Sequence, residues 1–175
     1  MTKTRQDKTT KPSGHETTTA LIPRHNCYGC GPENEHGLRL KFDLGADGKS
    51  MVCRFRLAAQ YVGPPGHAHG GVIATILDEA MGKASKLRNV VALTRAMTVQ
   101  YLRPVPLGKE LVAEGRNRSL RGRVCTNVAE IRTTEGEVLA RSKGKFIAID
   151  AEKMFARYVA QKKADDTRAP GKPPR

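Results

Sequence analysis

A glycine-rich loop and the helix that follows it contain the residues with the clearest chemistry. Residues 61–71 read Tyr-Val-Gly-Pro-Pro-Gly-His-Ala-His-Gly-Gly, and an apolar helical pattern begins at Val72. The first N–H groups of a helix have no partner within the helix and lie at the positive end of its dipole. They therefore suit a carbonyl oxygen that becomes negative during a reaction. The Gly70 N–H is our candidate donor to such an oxyanion.

Asp78, on the same predicted helix, is the candidate acid–base or nucleophilic group. A carboxylate can activate water as a general base or attack an electrophilic carbonyl carbon directly. A lone helix aspartate is usually solvated or paired with a cation. Here the residues three and four positions further on are Met81 and Gly82, which offer no cation, and the helix is mostly apolar. We therefore predict that Asp78 is a functional residue.

The spacing of Gly70 and Asp78 bears on the oligomeric state. They are eight residues apart, which is about 12 Å along a helix axis. Groups that act on one reacting centre lie at about 3 Å from it, so one helix cannot bring these two together. Two antiparallel copies of the helix can, and the spacing therefore predicts a homodimer with two equivalent sites, alone or as a dimer of dimers.

The elements that must position these residues are a long helix and an antiparallel sheet. Apolar residues recur at helical spacing over residues 72–87, whereas six other segments have the alternating pattern of half-buried strands. A hairpin turn is predicted at Ala46-Asp47-Gly48-Lys49. The predicted strands are residues 38–44, 51–57, 91–103, 109–119, 123–134 and 137–149, and a last helix is expected from Ala151 to Lys163. The order predicts an α+β fold, with the sheet wrapped around one central helix.

The 175 residues suit one domain, which we place at residues 26–150. Residues 1–25 are predicted to be a disordered basic tail, and residues 151–175 a short helix followed by a disordered basic tail. No apolar run has the roughly 20 residues of a membrane span, and the N-terminus lacks the apolar stretch of a secretory signal. The sequence therefore predicts a soluble, cytoplasmic protein.

The charge is strongly positive but unevenly distributed. The net charge is +14, of which +3 falls in residues 1–25 and +4 in residues 151–175. The excess left on the body suits a polyphosphate ligand as well as it suits DNA. Trp is absent and Phe and Tyr are few, so the aromatic platform expected for single strands is missing, as is a recognition-helix motif. These features argue against nucleic acid as a partner.

The four cysteines are expected to be reduced thiols, because the chain has no secretory signal. Cys27 and Cys30 form a Cys-x-x-Cys pair with His25 and His36 nearby, and Cys and His are the residue types that bind zinc. One pair without a second at defined spacing is not enough for that assignment. The sequence favours a packed turn without metal.

Several segments resemble one known family. His69-Gly70-Gly71-Val-Ile-Ala-Thr-Ile-Leu-Asp78 resembles the helix-start motif of hotdog-fold thioesterases of the phenylacetate-degradation type, and residues 61–66 are similar to a subgroup acting on fatty acyl-CoA. The segment from Cys27 to Asn34, Gly37-Leu38, and the stretch from Thr94 to Pro106 extend the resemblance over about residues 26–150. The resemblance implies a hotdog fold and hydrolysis of an acyl-CoA thioester without a metal or redox cofactor.

The resemblance also implies roles for particular residues. It places the family's acid at Asp78, the oxyanion-donating N–H at Gly70 and the active-site hydroxyl at Thr94, and His69 either takes part or only shapes the turn. Some relatives have an Asn where this chain has Gly63. Gly63, His67 or a water would then replace that amide.

The expected substrate-binding residues include Gly71 in the loop and basic residues elsewhere. Arg121 and Arg123 flank a hairpin turn, and Arg side chains commonly bind phosphate groups such as those of CoA. The alternative reading of the same charges is a solvated sheet edge.

Two other functions compete with hydrolysis. A hotdog domain can bind acyl-CoA without turnover, as a sensor, but Asp78 argues against this. A hotdog dehydratase acting on hydroxyacyl thioesters needs a different arrangement of His and Asp, and it ranks third.

Overall fold

The computed structural model describes residues 26–166. The strands are β1 (Asp43–Leu44), β2 (Met51–Arg56), β3 (Val91–Tyr101), β4 (Glu110–Arg121), β5 (Val124–Thr133) and β6 (Val138–Ile149). The helices are α1 (Gly70–Ala84) and α2 (Ala151–Asp166), and short 3-10 turns occupy Ala59–Tyr61 and Ser85–Arg88. Helix α2 ends at Asp166, so it includes the first two residues of the disordered tail predicted from Asp165 to Arg175. The rest of that tail and the predicted tail at residues 1–25 lie outside the described residues.

The six strands form one antiparallel sheet in the order β1-β2-β4-β5-β6-β3. Helix α1 lies on one face of this sheet and buries an apolar stripe there, as its period predicts. The buried members of the stripe are Ile73, Ile76, Leu77, Ala80, Met81 and Ala84. The α+β prediction, a sheet wrapped around one long helix, is confirmed.

A glycine and an asparagine of the sheet hold α1 close to it. A Cβ at Gly115 of β4 would overlap the carbonyl group of Ala80, so glycine is what lets the helix backbone approach the strand. Asn127 of β5 is fully buried, and its Nδ2 donates to the Met81 carbonyl oxygen at 2.7 Å and to Ser85 Oγ at 2.9 Å. Because buried polar groups need such partners, these bonds fix the axial position of α1.

The prediction of a strand over residues 38–44 is wrong for most of its length. Only Asp43–Leu44 pairs with β2. Leu38 and Leu40 instead donate their N–H groups to the carbonyl oxygens of Tyr28 and Gly29, and Arg39 between them has a φ of 50°, which interrupts an extended strand. Leu38, Leu40 and Phe42 pack on the core from a loop, whereas Leu44 is exposed on β1. The predicted hairpin turn before β2 is present, with the Gly45 N–H bonded to the Ser50 carbonyl oxygen at 2.9 Å.

Strand β3 lies at one end of the sheet and is hydrogen-bonded to β6 alone among the described residues. It is eleven residues long and largely exposed, including the apolar side chains of Val91 and Leu93 and the aromatic ring of Tyr101. An open edge of this length and apolarity is usually covered by another chain or by an inhibitory feature.

Within residues 26–166, neither helix has the length and apolar character needed to cross a bilayer.

Candidate active site

The start of α1 leaves one backbone donor without a partner. His69 is the N-cap, with φ −65° and ψ 139°, and its Nδ1 accepts the N–H of Gly71 at 3.0 Å. The His69 carbonyl oxygen accepts the N–H groups of Val72 and Ile73. In the described part of the chain, the remaining N–H of this first turn, that of Gly70, has no acceptor. This N–H group can therefore donate a hydrogen bond to an oxyanion.

The loop before α1 is fixed by its own backbone. Gly63 N–H donates to the His67 carbonyl oxygen and His69 N–H to that of Tyr61, each at 2.9 Å. A Cβ at residue 63 would lie 2.7 Å from the Cα of His69, so glycine is required for this close approach. The Gly63 N–H is used inside the loop, which removes it from the candidates to replace the amide of the relatives. His67 remains a candidate, with its Nδ1 2.9 Å from the Pro65 carbonyl oxygen.

Asp78 and Thr94 are brought together although they lie on different elements. Thr94 Oγ1, on β3, donates to Asp78 Oδ1, on α1, at 2.7 Å. The Asp78 side chain is half-buried, and burial raises the pKa of its carboxyl group above the ordinary value. The Thr94 hydroxyl opposes this change because it donates to the ionised form, and Glu79 adds to it by repulsion. The pair is suited to hold a carboxylate that accepts a proton.

Tyr101 is a candidate site residue that the sequence did not predict. Its hydroxyl donates to the carbonyl oxygen of Gly70 at 3.1 Å, so β3 contacts α1 at both Asp78 and the helix start. Thr94 and Tyr101 are seven positions apart and would face opposite sides of a regular strand. A register shift between Thr94 and Ala96 changes the alternation and turns both toward α1. Such a bulge left no signal in the sequence.

The predicted phosphate-binding arginines lie in a separate place, at the turn between β4 and β5. Arg121 ends β4 and Arg123 precedes β5, with Gly122 at φ +56° between them. Arg123 Nε donates to the Ala148 carbonyl oxygen at 3.1 Å, and both side chains are exposed. Strand β6 pairs with both β5 and β3, so this turn lies two strands away from the residues of β3 that precede Thr94.

Among the residues that the structure describes, two concave regions are present, and one of them adjoins the candidate site. A pocket of about 520 Å³ adjoins the helix start and is lined by Tyr28, Glu35, His36, Gln60, Tyr61, Val62, His69 and Val72. A larger cavity of about 840 Å³ lies over the middle of β3 to β6 and contains none of the predicted site residues. The smaller pocket is the one that can serve a reaction at Gly70.

The sheet, the single buried helix and the donor at its start define the class of the domain as a hotdog fold. The family model of the thioesterase superfamily matches residues 65–140, a stretch that contains α1, β3, β4 and β5. This stretch of the chain is similar to the superfamily, in agreement with the sequence motifs, and the fold assignment is hotdog.

Relatives and solved structures agree with that assignment. The chain is 32% identical over 91 residues to acyl-coenzyme A thioesterase THEM4 of Xenopus laevis, covering 52% of this chain and 41% of the relative. The crystal structure of a thioesterase superfamily protein is similar at 35% identity with a TM-score of 0.66, over 71% of this chain and 63% of that one. The E. coli PaaI protein from the phenylacetic acid degradation operon shares the fold, at 24% identity and a TM-score of 0.57, over 64% of this chain and 80% of that one. The chain spans about half or less of the length of the THEM4 relatives.

Proposed function

We propose that this protein is an acyl-CoA thioesterase, which hydrolyses an acyl-CoA to a carboxylic acid and free CoA. One observation carries the proposal: the half-buried Asp78 of α1 accepts a hydrogen bond from Thr94, in a stretch that matches the thioesterase superfamily. The same helix begins with the N–H of Gly70, which has no acceptor among the described residues. The acyl-coenzyme A thioesterases among its relatives support CoA thioesters as the substrate class.

The chemistry follows from these groups. Asp78 takes a proton from water as the water oxygen attacks the thioester carbonyl carbon, and the carbonyl oxygen becomes an anion that the Gly70 N–H stabilises. The carbon–sulfur bond then breaks, the carbonyl re-forms and the sulfur leaves as a thiolate. The proton held by Asp78 returns to that thiolate, which gives free CoA. The chain's own groups account for each proton in these steps.

The proposed site crosses a dimer interface. Because Gly70 and Asp78 are about 12 Å apart along α1, the Gly70 N–H of one subunit would act with Asp78 of the other. The open apolar edge of β3 supports this arrangement, since pairing of two such edges would cover Val91 and Leu93. Both Thr94 and Tyr101 belong to that strand.

The CoA moiety is the proposed partner of the basic surface. Arg121 and Arg123 are exposed at one turn near the start of β3, where guanidinium groups can bind the phosphates of CoA in a bidentate manner. We expect replacement of both arginines by Gln to raise KM for acyl-CoA with little change in kcat. Contacts to the phosphates are the same in the bound ground state and in the transition state, so losing them weakens substrate binding alone.

The test is thiol release from a panel of acyl-CoAs of increasing chain length. Wild-type protein should release free CoA, and Asp78→Asn should lower kcat by at least about 10²-fold, the usual contribution of a general base. Asp43→Asn, which changes an exposed carboxylate on β1, is the matched control and should retain activity. Near-normal turnover by Asp78→Asn would overturn the assignment of the base. Tight acyl-CoA binding by wild type with no thiol release would instead identify a sensor.

A further inference from the structure

The loop at residues 27–31 contacts α1 through a set of side chains that the hydrolytic site does not use. Cys27 Sγ donates to Glu79 Oε1 at 3.2 Å. One donor atom from each of Cys27, Cys30 and Glu79 lies within 4.8 Å of the others, and all three residues are half-buried. Ligands bound to one zinc ion at about 2.0–2.3 Å are roughly 3.5 Å apart from one another. The three atoms can therefore reach a single ion with small adjustments.

The geometry of this cluster is built into the backbone. A Cβ at Gly29, between the two cysteines, would overlap the Glu79 side chain, so glycine there allows the carboxylate to approach both thiols. The loop is held by hydrogen bonds from Gly31 N–H to the Cys27 carbonyl and from Leu40 N–H to that of Gly29, each 2.9 Å. A preformed set of donors lowers the ordering cost of binding a ligand.

The charges of the cluster balance when a divalent cation is added. Two thiolates and the Glu79 carboxylate carry three negative charges. A divalent ion supplies two positive charges, and Lys83 supplies the third, with its Nζ 2.9 Å from Cys30 Sγ and 3.8 Å from Glu79 Oε2. An N–H donor to a thiolate is a common way to stabilise metal-bound sulfur.

The donor types indicate which metal the cluster would bind. A coordinating thiol is deprotonated outright, so both sulfur atoms would bind as thiolates. Two sulfur donors with one carboxylate favour zinc over the harder Mg²⁺ and Ca²⁺.

We propose that Cys27, Cys30 and Glu79 bind a structural zinc ion that joins the loop at residues 27–31 to helix α1. The sequence also placed His36 near the two cysteines, but in the structure His36 lines the pocket beside His69 together with Tyr28. A water is therefore the proposed fourth ligand of the zinc ion. The ion would hold α1 one residue away from Asp78, so it would stabilise the fold around the hydrolytic site. The proposal is independent of thioester hydrolysis.

Zinc content is the first measurement. The full chain is purified under reducing conditions without a polyhistidine tag, and its metals are measured by mass spectrometry. We expect one zinc per chain in the wild type and in the control Cys125→Ala, whose thiol is fully buried on β5. Cys27→Ser and Cys30→Ser should each lower the zinc content by about tenfold or more. Retention of zinc by both Ser variants, or a wild type that takes up none from added zinc chloride, would overturn the proposal.

Cobalt substitution tests the ligands without relying on the folding of a variant. Co²⁺ added to chelator-treated wild type should give a sulfur-to-cobalt charge-transfer band and the intense visible bands of tetrahedral coordination. Glu79→Gln should keep the charge-transfer band and change the visible bands, because both sulfurs remain. A wild-type spectrum without the charge-transfer band would exclude thiolate coordination and overturn the proposal.

Discussion

The 2.7 Å hydrogen bond from Thr94 Oγ1 to Asp78 Oδ1 joins the exposed edge strand β3 to the buried helix α1. It connects a residue found by its position in a helical motif with one that lies sixteen positions further along the chain. Because the hydroxyl donates to the carboxylate, it favours the ionised form that a general base requires. The following predictions depend on this contact and on the start of α1.

Thr94→Val should move the acid limb of the pH–kcat profile to higher pH. Burial already raises the pKa of Asp78, and the Thr94 hydrogen bond lowers it. Removing that bond raises the pKa further, so at a given pH below the plateau a smaller fraction of Asp78 is ionised and kcat falls. Thr94→Ser keeps a hydroxyl and should have a profile close to that of wild type. An unchanged limb in Thr94→Val would show that this contact does not tune the base.

Gly70→Pro should remove the proposed oxyanion donor while leaving α1 intact. Proline is favoured at the first helical position and lacks the N–H, and its preceding residue prefers the extended backbone that His69 has, at ψ 139°. A Cβ at residue 70 meets only ordinary contacts, at 3.7 Å from the Tyr101 ring. We expect kcat to fall about 10²–10³-fold.

Gly70→Ala is the control for that experiment, since it adds a Cβ but keeps the N–H. It should retain most of the activity, and circular dichroism should show equal helix content in both variants. Equal loss of kcat in Gly70→Ala and Gly70→Pro would mean that the side chain, rather than the missing donor, causes the defect.

Mixing two inactive variants tests whether the site crosses subunits. In a heterodimer of Asp78→Asn and Gly70→Pro subunits, one site combines the intact Asp78 of one chain with the intact Gly70 of the other, whereas the second site has both defects. Refolding the two together in equal amounts should therefore restore about a quarter of wild-type activity, if association is random. A mixture as inactive as its parents would place each site within one chain.

Asp78→Asn should raise Tm at neutral pH although it lowers turnover. The folded-state pKa of Asp78 is raised, so the group favours folding in its protonated form, and that stability is lost as the pH rises through the unfolded pKa toward the folded one. An uncharged Asn avoids this loss, and its advantage over wild type should shrink as the pH is lowered below the unfolded pKa. Thermal unfolding at several pH values measures the difference. A lower Tm for Asp78→Asn at neutral pH would contradict the expected cost of the buried charge.

Local pattern predicted most of the fold. The long strands from β3 to β6 and the helix carrying Asp78 lie within two residues of their predicted bounds at nearly every end, because alternation and helical spacing report which side chains face a core. The same rule was wrong for residues 38–42, where Leu38, Leu40 and Phe42 pack on the core from a loop that is hydrogen-bonded to the carbonyl groups of residues 28 and 29.

By itself, the sequence determined the family motif, the position of Gly70 as the candidate donor at the helix start and the separation of Gly70 from Asp78, since these depend on short spacings and on the geometry of one helix. Only the tertiary structure decided which residues from distant elements meet. It turned Thr94 and Tyr101 to the same face through a bulge, used the Gly63 N–H inside its loop, and placed Glu79 beside Cys27 and Cys30. Such contacts depend on strand register and on the approach of separate backbones, which no local periodicity encodes.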